Sequence, residues 1–328
     1  MSSSKLLIRT DLKTGLLQLS LFLFLFFMDK AFSQAVEDGQ ILEKEIPISV
    51  REVAPGLFFQ YHFAESNNAW LVTDEGVLVV DSRQHPQRAK ELMTAIRKTT
   101  DKPIKWVINT HFHGEHYFGN VIFKDLGAQF IAQKDTATMM KRYFEEELKR
   151  RSGYFKQRQY NSDEVKLIMP DVTFDHSLEL TLGGKKISLI YLGAGQNPGD
   201  AIVYFPEEKV LFAGGPVAKD SWTNPSFTPS ITNWIILLEK IKGMDVQFYL
   251  GGHGDISDQN DIQNEINLLR YFDSGMREAV SKNLTVDEII RDYKFDKFKD
   301  YRNYYRLNIF IKNYFYTLTN GKPNIFLP

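Results

Sequence analysis

The chain contains no cysteine. Disulfides, thiolate metal ligands, a cysteine nucleophile and a lipid anchor on cysteine are therefore all excluded. An excess of charge of either sign is also missing: 40 Lys and Arg stand against 41 Asp and Glu, a formal net charge of -1. A nucleic-acid partner needs concentrated basic residues, so none is expected. Histidine is scarce, at 7 in 328 residues, so the places where it occurs carry information. What remains is ordinary for a globular protein, 43% apolar and 25% charged, with material for a sizeable core.

The N-terminus differs from the rest. Lys5, Arg9 and Lys13 precede an apolar run over residues 16–28, broken only by Gln18 and Ser20. Ala31-Phe32-Ser33 and Ser33-Gln34-Ala35 then offer small residues at cleavage spacing. This pattern is that of a secretory signal peptide over residues 1–35. An uncleaved anchor is the alternative, although the run falls short of the about 20 residues of a membrane span. The mature chain is expected to be periplasmic or secreted, without a stable membrane span.

Beyond it, short apolar runs alternate with turn residues. Segments 48–53, 57–63, 69–73, 76–80 and 104–108 predict strands, with a hairpin turn at Asp74-Glu75-Gly76. Pro86 opens a helix to about Lys98, placing Leu92, Ala95 and Ile96 on one face. A charged stretch from Asp135 to Arg151 predicts a solvated helix laced with ion pairs, or else a lid over a site. Strands resume at 172–174, 178–182, 186–192, 201–205 and 209–212; a helix over 231–242 and a strand over 247–250 follow. Two similar halves are expected, each a sheet with helices on its outer face. From about Gln259 the pattern is helical and rich in aromatics, with Leu307, Ile311, Tyr314 and Phe315 on one face. That face serves either packing on the domain, a homodimer contact or a membrane-touching surface.

Three of the seven histidines fall within six residues, in Thr110-His111-Phe112-His113-Gly114-Glu115-His116, directly after a predicted strand. A strand end is a rigid support, and polar groups converge in the loop beyond it. His111 and His113 share one side of an extended segment, and Glu115 and His116 lie near enough to reach round the same centre. Imidazole and carboxylate suit zinc, and imidazole also suits iron. Three glycine-rich loops follow strand ends: Gly193-Ala194-Gly195-Gln196-Asn197-Pro198-Gly199-Asp200, Gly214-Gly215-Pro216 and Gly251-Gly252-His253-Gly254. The last supplies a fourth candidate ligand. His62, His85 and His176 lie apart and are expected to be surface or satisfied structural residues.

Over nearly the whole mature chain this set resembles the metallo-β-lactamase superfamily, whose landmarks are Thr-His-x-His-x-Asp-His, Gly-x-x-His-Thr, Gly-Asp and Gly-His loops in that order. Residues 66–81 and Thr100-Asp101-Lys102-Pro103 are similar to the branch with sulfur-oxidation and quinoprotein-associated hydrolases. The resemblance implies an α+β fold, a four-layer αββα sandwich, over residues 36–255, with a helical extension over 256–328. It implies one zinc ion, less readily two, with iron an alternative. Its ligand set maps onto His111, His113, Glu115, His116 and His253, with Gln196 as a weak ligand. Asp81 and Asp200 match acidic positions that support ligating histidines. Three positions depart from the pattern: Glu115 replaces Asp, Gln196 replaces His, and Gly215 replaces a bridging Asp. The implied activity is hydrolysis of an ester, thioester, lactone, amide or phosphoester in a small-molecule substrate, by water activated on the metal, with Glu115 orienting that water or taking its proton. Nothing in the sequence singles out β-lactams. Residues 221–229, with Trp222 and Phe227, are candidates to line the pocket. The alternative function is a non-catalytic binding protein on the same fold.

Overall fold

The computed structural model describes residues 48–321. The expected signal peptide lies outside them. The first sheet has seven strands in sequence order: β1 (Ile48–Ala54), β2 (Leu57–His62), β3 (Asn68–Val72), β4 (Val77–Val80), β5 (Ile104–Asn109), β6 (Gln129–Gln133) and β7 (Val172–Phe174). The first four pair antiparallel through short turns, and β4 to β7 pair parallel. Parallel neighbours need crossovers. These are α1 (Pro86–Arg97), the pair α2 (Gly114–Tyr117) and α3 (Asn120–Asp125), and the pair α4 (Lys134–Arg150) and α5 (Ser152–Arg158).

The second sheet runs β12-β11-β10-β9-β8, from β8 (Ser177–Leu182), β9 (Lys185–Ile190), β10 (Ile202–Phe205), β11 (Val210–Ala218) and β12 (Phe248–His253). Only β11 and β12 pair parallel, joined through α6 (Ile231–Lys242). Then come α7 (Gln259–Ser281), α8 (Val286–Asp292) and α9 (Leu307–Asn320).

Alternation of side chains sets the layers. On β4, Leu78 and Val80 face the second sheet and meet Leu189, Val203, Phe212 and Leu250. Val77 and Val79 face the opposite way, onto Ala89, Leu92 and Ile96 of α1 and Phe123 of α3. The second sheet turns Leu211 and Tyr249 outward onto Trp234, Leu237, Leu238 and Ile241 of α6 and Ile262 and Ile266 of α7. The result is the expected αββα sandwich. Fully burying each such Leu or Ile contributes about 1.5–3 kcal/mol, so both faces of both sheets stabilise the frame.

Three expectations need correction. Sequence reading missed β6, whose five residues Gln129–Gln133 begin and end in glutamine. β11 was expected to stop at Phe212 but extends through Gly214, Gly215 and Pro216 to Ala218. Its bulged parallel pairing with β12, Gly214 opposite Gly251 and Ala218 opposite His253, carries it to the site. The charged helix is not simply solvated. It is α4, kinked at Tyr143, with Glu147 fully buried and Arg151 at the candidate site.

The aromatic face of α9 is packed inside the chain: Phe310, Ile311 and Tyr314 are each buried in the cluster that also holds α6 and α7. Tyr305 and Ile309 remain exposed. No helix of the described residues is long and apolar enough to cross a membrane.

Candidate metal centre

The site is built outward from Asp81. It follows β4 in the left-handed region, at φ 61°, a conformation that Asp tolerates better than most residues. From there its carboxylate reaches across to the end of β5. Oδ1 accepts from Thr110 N at 2.9 Å, and Oδ2 accepts from Thr110 Oγ1 at 2.9 Å. Oδ2 also lies 2.7 Å from His116 Nδ1. The loop is pinned elsewhere too. Ser82 N donates to His116 O at 2.8 Å, and Gly114 N donates to the buried Glu147 Oε2 at 2.9 Å.

These contacts fix the imidazole tautomers. A carboxylate only accepts, so His116 Nδ1 carries its proton. The Thr110 hydroxyl has one proton and gives it to Asp81, so His111 Nδ1, 2.9 Å from Thr110 Oγ1, must donate. His253 Nδ1 lies 3.2 Å from Glu65 O, a carbonyl, and donates as well. In the neutral state each of the three therefore presents a lone pair on Nε2, the form that binds metal. The Nε2 atoms of His111, His113 and His116 are buried without a hydrogen-bond partner. Such atoms cost free energy unless something fills the space between them. Burial first, then the neighbouring imidazoles and arginines, holds the pKa of His111 and of His113 well below the ordinary range. His253, with 37% of its side chain exposed, is lowered by burial and then by the charges of His116 and Arg302.

The rings stand together. Centroids are 4.7 Å apart for His111 and His113, 4.0 Å for His111 and His116, and 5.4 Å for His116 and His253. Ligand atoms of Glu115, His116 and His253 all lie within 4.8 Å of one another. These three residues are a group that could hold a metal ion, with the rings of His111 and His113 beside it.

Sequence reasoning did not anticipate the surroundings of Glu115. Its Oε1 is 4.0 Å from His253 Nε2, but its Oε2 is ion-paired with Arg151 at the junction of α4 and α5. Arg151 also donates to Gln84 Oε1 at 3.2 Å, and burial lowers its pKa to about 10. A carboxylate shared with a guanidinium is a weak proton acceptor, which argues against Glu115 as a general base.

Among the described residues, neither Gln196 nor Asp200 is hydrogen-bonded to a histidine. Gln196 Oε1 accepts from Asn197 Nδ2 at 3.1 Å and fills the space above Gly215, where a Cβ would come within 2.0 Å of it. Asp200 accepts from Asn197 N at 2.7 Å and Asn197 Nδ2 at 3.0 Å, so it braces its own loop rather than an imidazole. Burial raises its pKa to about 7, against the pull of those bonds.

Of residues 221–229, Phe227 packs against His113 at 4.6 Å between centroids. Trp222 points away, into the C-terminal segment, and donates from Nε1 to Phe298 O at 2.8 Å. His85 is structural: it caps α1 by accepting from Gln87 N at 3.1 Å and stacks on Tyr160. His176 is exposed. His62 is fully buried: its Nδ1 accepts from Ala64 N at 3.3 Å, while its Nε2, without a hydrogen-bond partner, lies 3.9 Å from Glu65 Oε2.

Glu65 and Ser66, which no motif marks, also matter. The Glu65 carboxylate is buried between Arg83 at 2.6 Å and Arg88 at 2.7 Å, and this anchors the carbonyl that His253 uses. Ser66 Oγ donates to Glu115 O at 2.6 Å.

Comparison with known proteins agrees with this architecture. A family model described as the metallo-beta-lactamase superfamily matches residues 63–253. A metallo-beta-lactamase type 2 from Elizabethkingia meningoseptica is 27% identical over 211 residues, covering 63% of this chain and 76% of that protein. A linear primary-alkylsulfatase from Pseudomonas sp. (strain ATCC 19151) is 24% identical over 256 residues, covering 67% of this chain and 48% of that protein. The chain thus spans about half the length of that relative. Among solved structures, the metallo-beta-lactamase from Pontibacter korlensis matches with a TM-score of 0.54 at 19% identity, over 68% of this chain and 99% of that one. The sec-alkylsulfatase Pisa1 from Pseudomonas sp. matches with a TM-score of 0.68 at 17% identity, over 82% of this chain and 50% of that one. At these identities the solved structures speak for the fold alone. The sandwich, the loop after β5 and a family match over more than half of the chain together make this protein a member of the metallo-beta-lactamase superfamily.

Proposed function

We propose that the protein is an exported, metal-dependent hydrolase that works with one divalent ion, zinc by preference, on a small-molecule ester, thioester, lactone, amide or phosphoester. The observation that carries this reading is the set of three buried, unpartnered Nε2 atoms on His111, His113 and His116. His116, His253 and Glu115 Oε1 would hold the ion, with His111 and His113 completing the site. When bound, such an ion supplies a Lewis acid and lowers the pKa of water to about 7. The chain does the rest by positioning. Asp81 and Thr110 keep His111 and His116 as lone-pair donors, and the Glu65 carbonyl does the same for His253. Arg151 holds the far oxygen of Glu115, so one oxygen is left for the ion and the carboxylate orients rather than abstracts. Phe227 covers His113 and keeps bulk water from that side.

The test is metal content per chain by mass spectrometry on protein purified without chelator, followed by a substrate screen. Alkyl sulfates belong in that screen because an alkylsulfatase is among the relatives. About one zinc per chain, together with turnover of any member, supports the reading. Near-zero metal and no uptake on dialysis against zinc would refute it. That outcome would favour the second reading, a non-catalytic binding protein, for which the Glu115–Arg151 ion pair is the specific support.

A further inference from the structure

The loop that carries Phe227 to His113 is held in shape from outside. Between β11 and α6 the chain forms no helix and no strand, so its hydrogen bonds to other segments decide where it lies. Two of these come from the glycine-rich loop of the second sheet: Thr228 Oγ1 donates to Gly195 O, and Gln196 Nε2 donates to Asn224 O at 3.5 Å. The others come from the C-terminal segment. At the start of the loop, Trp222 N donates to Arg302 O at 2.8 Å, Trp222 Nε1 donates to Phe298 O at 2.8 Å, and Asn303 Nδ2 donates to Ser221 Oγ at 3.0 Å. In its middle, Asn313 of α9 donates from Nδ2 to Ser226 Oγ, and Asn224 Oδ1 lies 3.4 Å from the same nitrogen. Ser226 passes the contact on. Its N–H donates to Asn224 Oδ1 at 3.0 Å, and its hydroxyl donates to the same oxygen.

Asn313 is out of character with its neighbours. It sits on the buried face of α9 with Phe310, Ile311 and Tyr314, and is 6% exposed. A buried amide costs free energy unless it is hydrogen-bonded, so its place on an apolar face is explained by what it reaches. It reaches the residue before Phe227. The Phe227 ring is buried, 4.6 Å from His113 and 5.1 Å from Phe112 between centroids. Beneath it His113 is buried too, with its Nε2 bare. Ser226 and Phe227 share a peptide bond, so the amide that fixes the one also fixes the point from which the other side chain starts. α9 lies beyond residue 253, where the family match ends.

We propose that Asn313 is a positioning residue: it clamps the loop at Ser226 and Asn224 so that Phe227 closes over His113, and through it the C-terminal helix sets how far the metal centre is open on that side. The proposal takes from the hydrolase reading only the place of His113 in the site, and goes beyond it in giving α9 control of access. A loop released from the clamp opens more often, and loss of one buried hydrogen bond shifts such a local equilibrium by about tenfold.

The test reads access directly. The full metal-free chain is pulsed with diethylpyrocarbonate, and carbethoxylation of each histidine is followed by peptide mass spectrometry. In the wild type His113 should react slowly, while the exposed His176 reacts fast. Asn313→Leu keeps the side-chain volume but removes the donor, and should speed His113 about tenfold. Ser226→Ala removes the other end of the clamp and should do the same. His176 should be unaltered, and the fully buried His62 should stay unreactive. A His113 that is fast in the wild type overturns the proposal, as does an unchanged rate in the folded variants. If His62 and His85 speed up along with His113, the whole fold has loosened, and the positioning role is overturned as well. Should Asn313→Leu fail to fold, Ser226→Ala decides alone. Phe227→Ala should open His113 by itself, and adding Asn313→Leu to it should change little; full additivity would mean that Asn313 acts by another route, against the proposal. Zinc uptake measured on the same wild-type preparation judges the hydrolase reading separately. A chain that takes up no zinc ends that reading, and the His113 rates still decide the clamp.

Discussion

The two sheets end in loops that face each other, and they treat their polar groups in opposite ways. After β5 the loop turns its histidines toward a common centre and satisfies only their back edges. Asp81 and Thr110 take the Nδ1 atoms of His116 and His111, and the Nε2 atoms are left bare. On the other sheet, the loop of residues 193–200 satisfies itself. Gln196 and Asp200 both bond to Asn197, and the amide of Gln196 occupies the room above Gly215. One loop is poised for something absent from the chain, while the other has closed on its own groups. The second sheet contributes a single ligand candidate, His253, and that residue is held by a carbonyl of the first half.

The comparison is most directly broken at His116. If the first loop carries the metal, His116→Ala removes a central ligand and should cut zinc affinity at least about 100-fold, read by competition with a chromophoric chelator. Retained stoichiometry would move the centre elsewhere. Next comes Asp81→Asn. It keeps the shape but can no longer accept from Thr110 N, Thr110 Oγ1 and His116 Nδ1 together. Zinc affinity should fall about 10- to 100-fold, and stability by about 1–3 kcal/mol in urea unfolding, since at least one buried donor loses its partner.

How much of this was legible in the sequence follows from the same contrast. The histidine run, the strand before it and the apolar periodicities are local signals; they implied two sheets with outer helices, and the family resemblance implied the αββα sandwich that is observed. Asp81 was legible because it matches an acidic position of the resembled family, at the end of the buried apolar run Val77–Val80. What sequence could not show lies in contacts between distant residues. Nothing local marks Arg151 as the partner of Glu115, 36 positions away, or Glu65 as the support of His253, 188 positions away. The charged stretch reads as a solvated helix because burial of Glu147 is a tertiary event. An odd basic residue just beyond the last turn of an otherwise ion-paired helix is the one hint that Arg151 offered. Gln196 and Gly215 looked like two separate losses, and only the packing of one over the other makes them a single arrangement.

Arg151 sharpens the comparison from the first loop's side. Its positive charge against Glu115 weakens that carboxylate as a partner for a cation. Arg151→Met should therefore raise zinc affinity, by about tenfold, and leave Arg151→Lys near the wild type. A fall in affinity would mean instead that the guanidinium holds Glu115 in the binding geometry. The second loop can be probed by pH. Asp200 has its folded-state pKa raised from 3.8 to about 7 by burial. In the native state it keeps a proton that the unfolded chain releases near pH 4. Its contribution is therefore fully present below that point and lost as pH rises through about 7. In metal-free protein, Asp200→Asn should flatten the stability profile between pH 4 and 7. An unaltered slope would show that Asp200 is already ionised there.

The smallest effect is expected at Gln196, and it separates a loop that has closed from one that still contributes. If Gln196 ligated the ion, Gln196→Ala would remove a ligand and cost tenfold or more in zinc affinity. Its oxygen is instead engaged by Asn197, and its amide nitrogen donates weakly to Asn224 O at 3.5 Å. Removing it should leave zinc affinity within about threefold and cost roughly 1 kcal/mol of stability from the lost hydrogen bond and the space opened above Gly215. Because that space then lies free, Gly215→Ala should be tolerated better in the Gln196→Ala background than alone, where the new Cβ would fall 2.0 Å from the amide oxygen. A double-mutant cycle measures this directly. Coupling near zero would mean that Gln196 swings away at no cost, and a side chain that swings so freely could also turn toward the histidines.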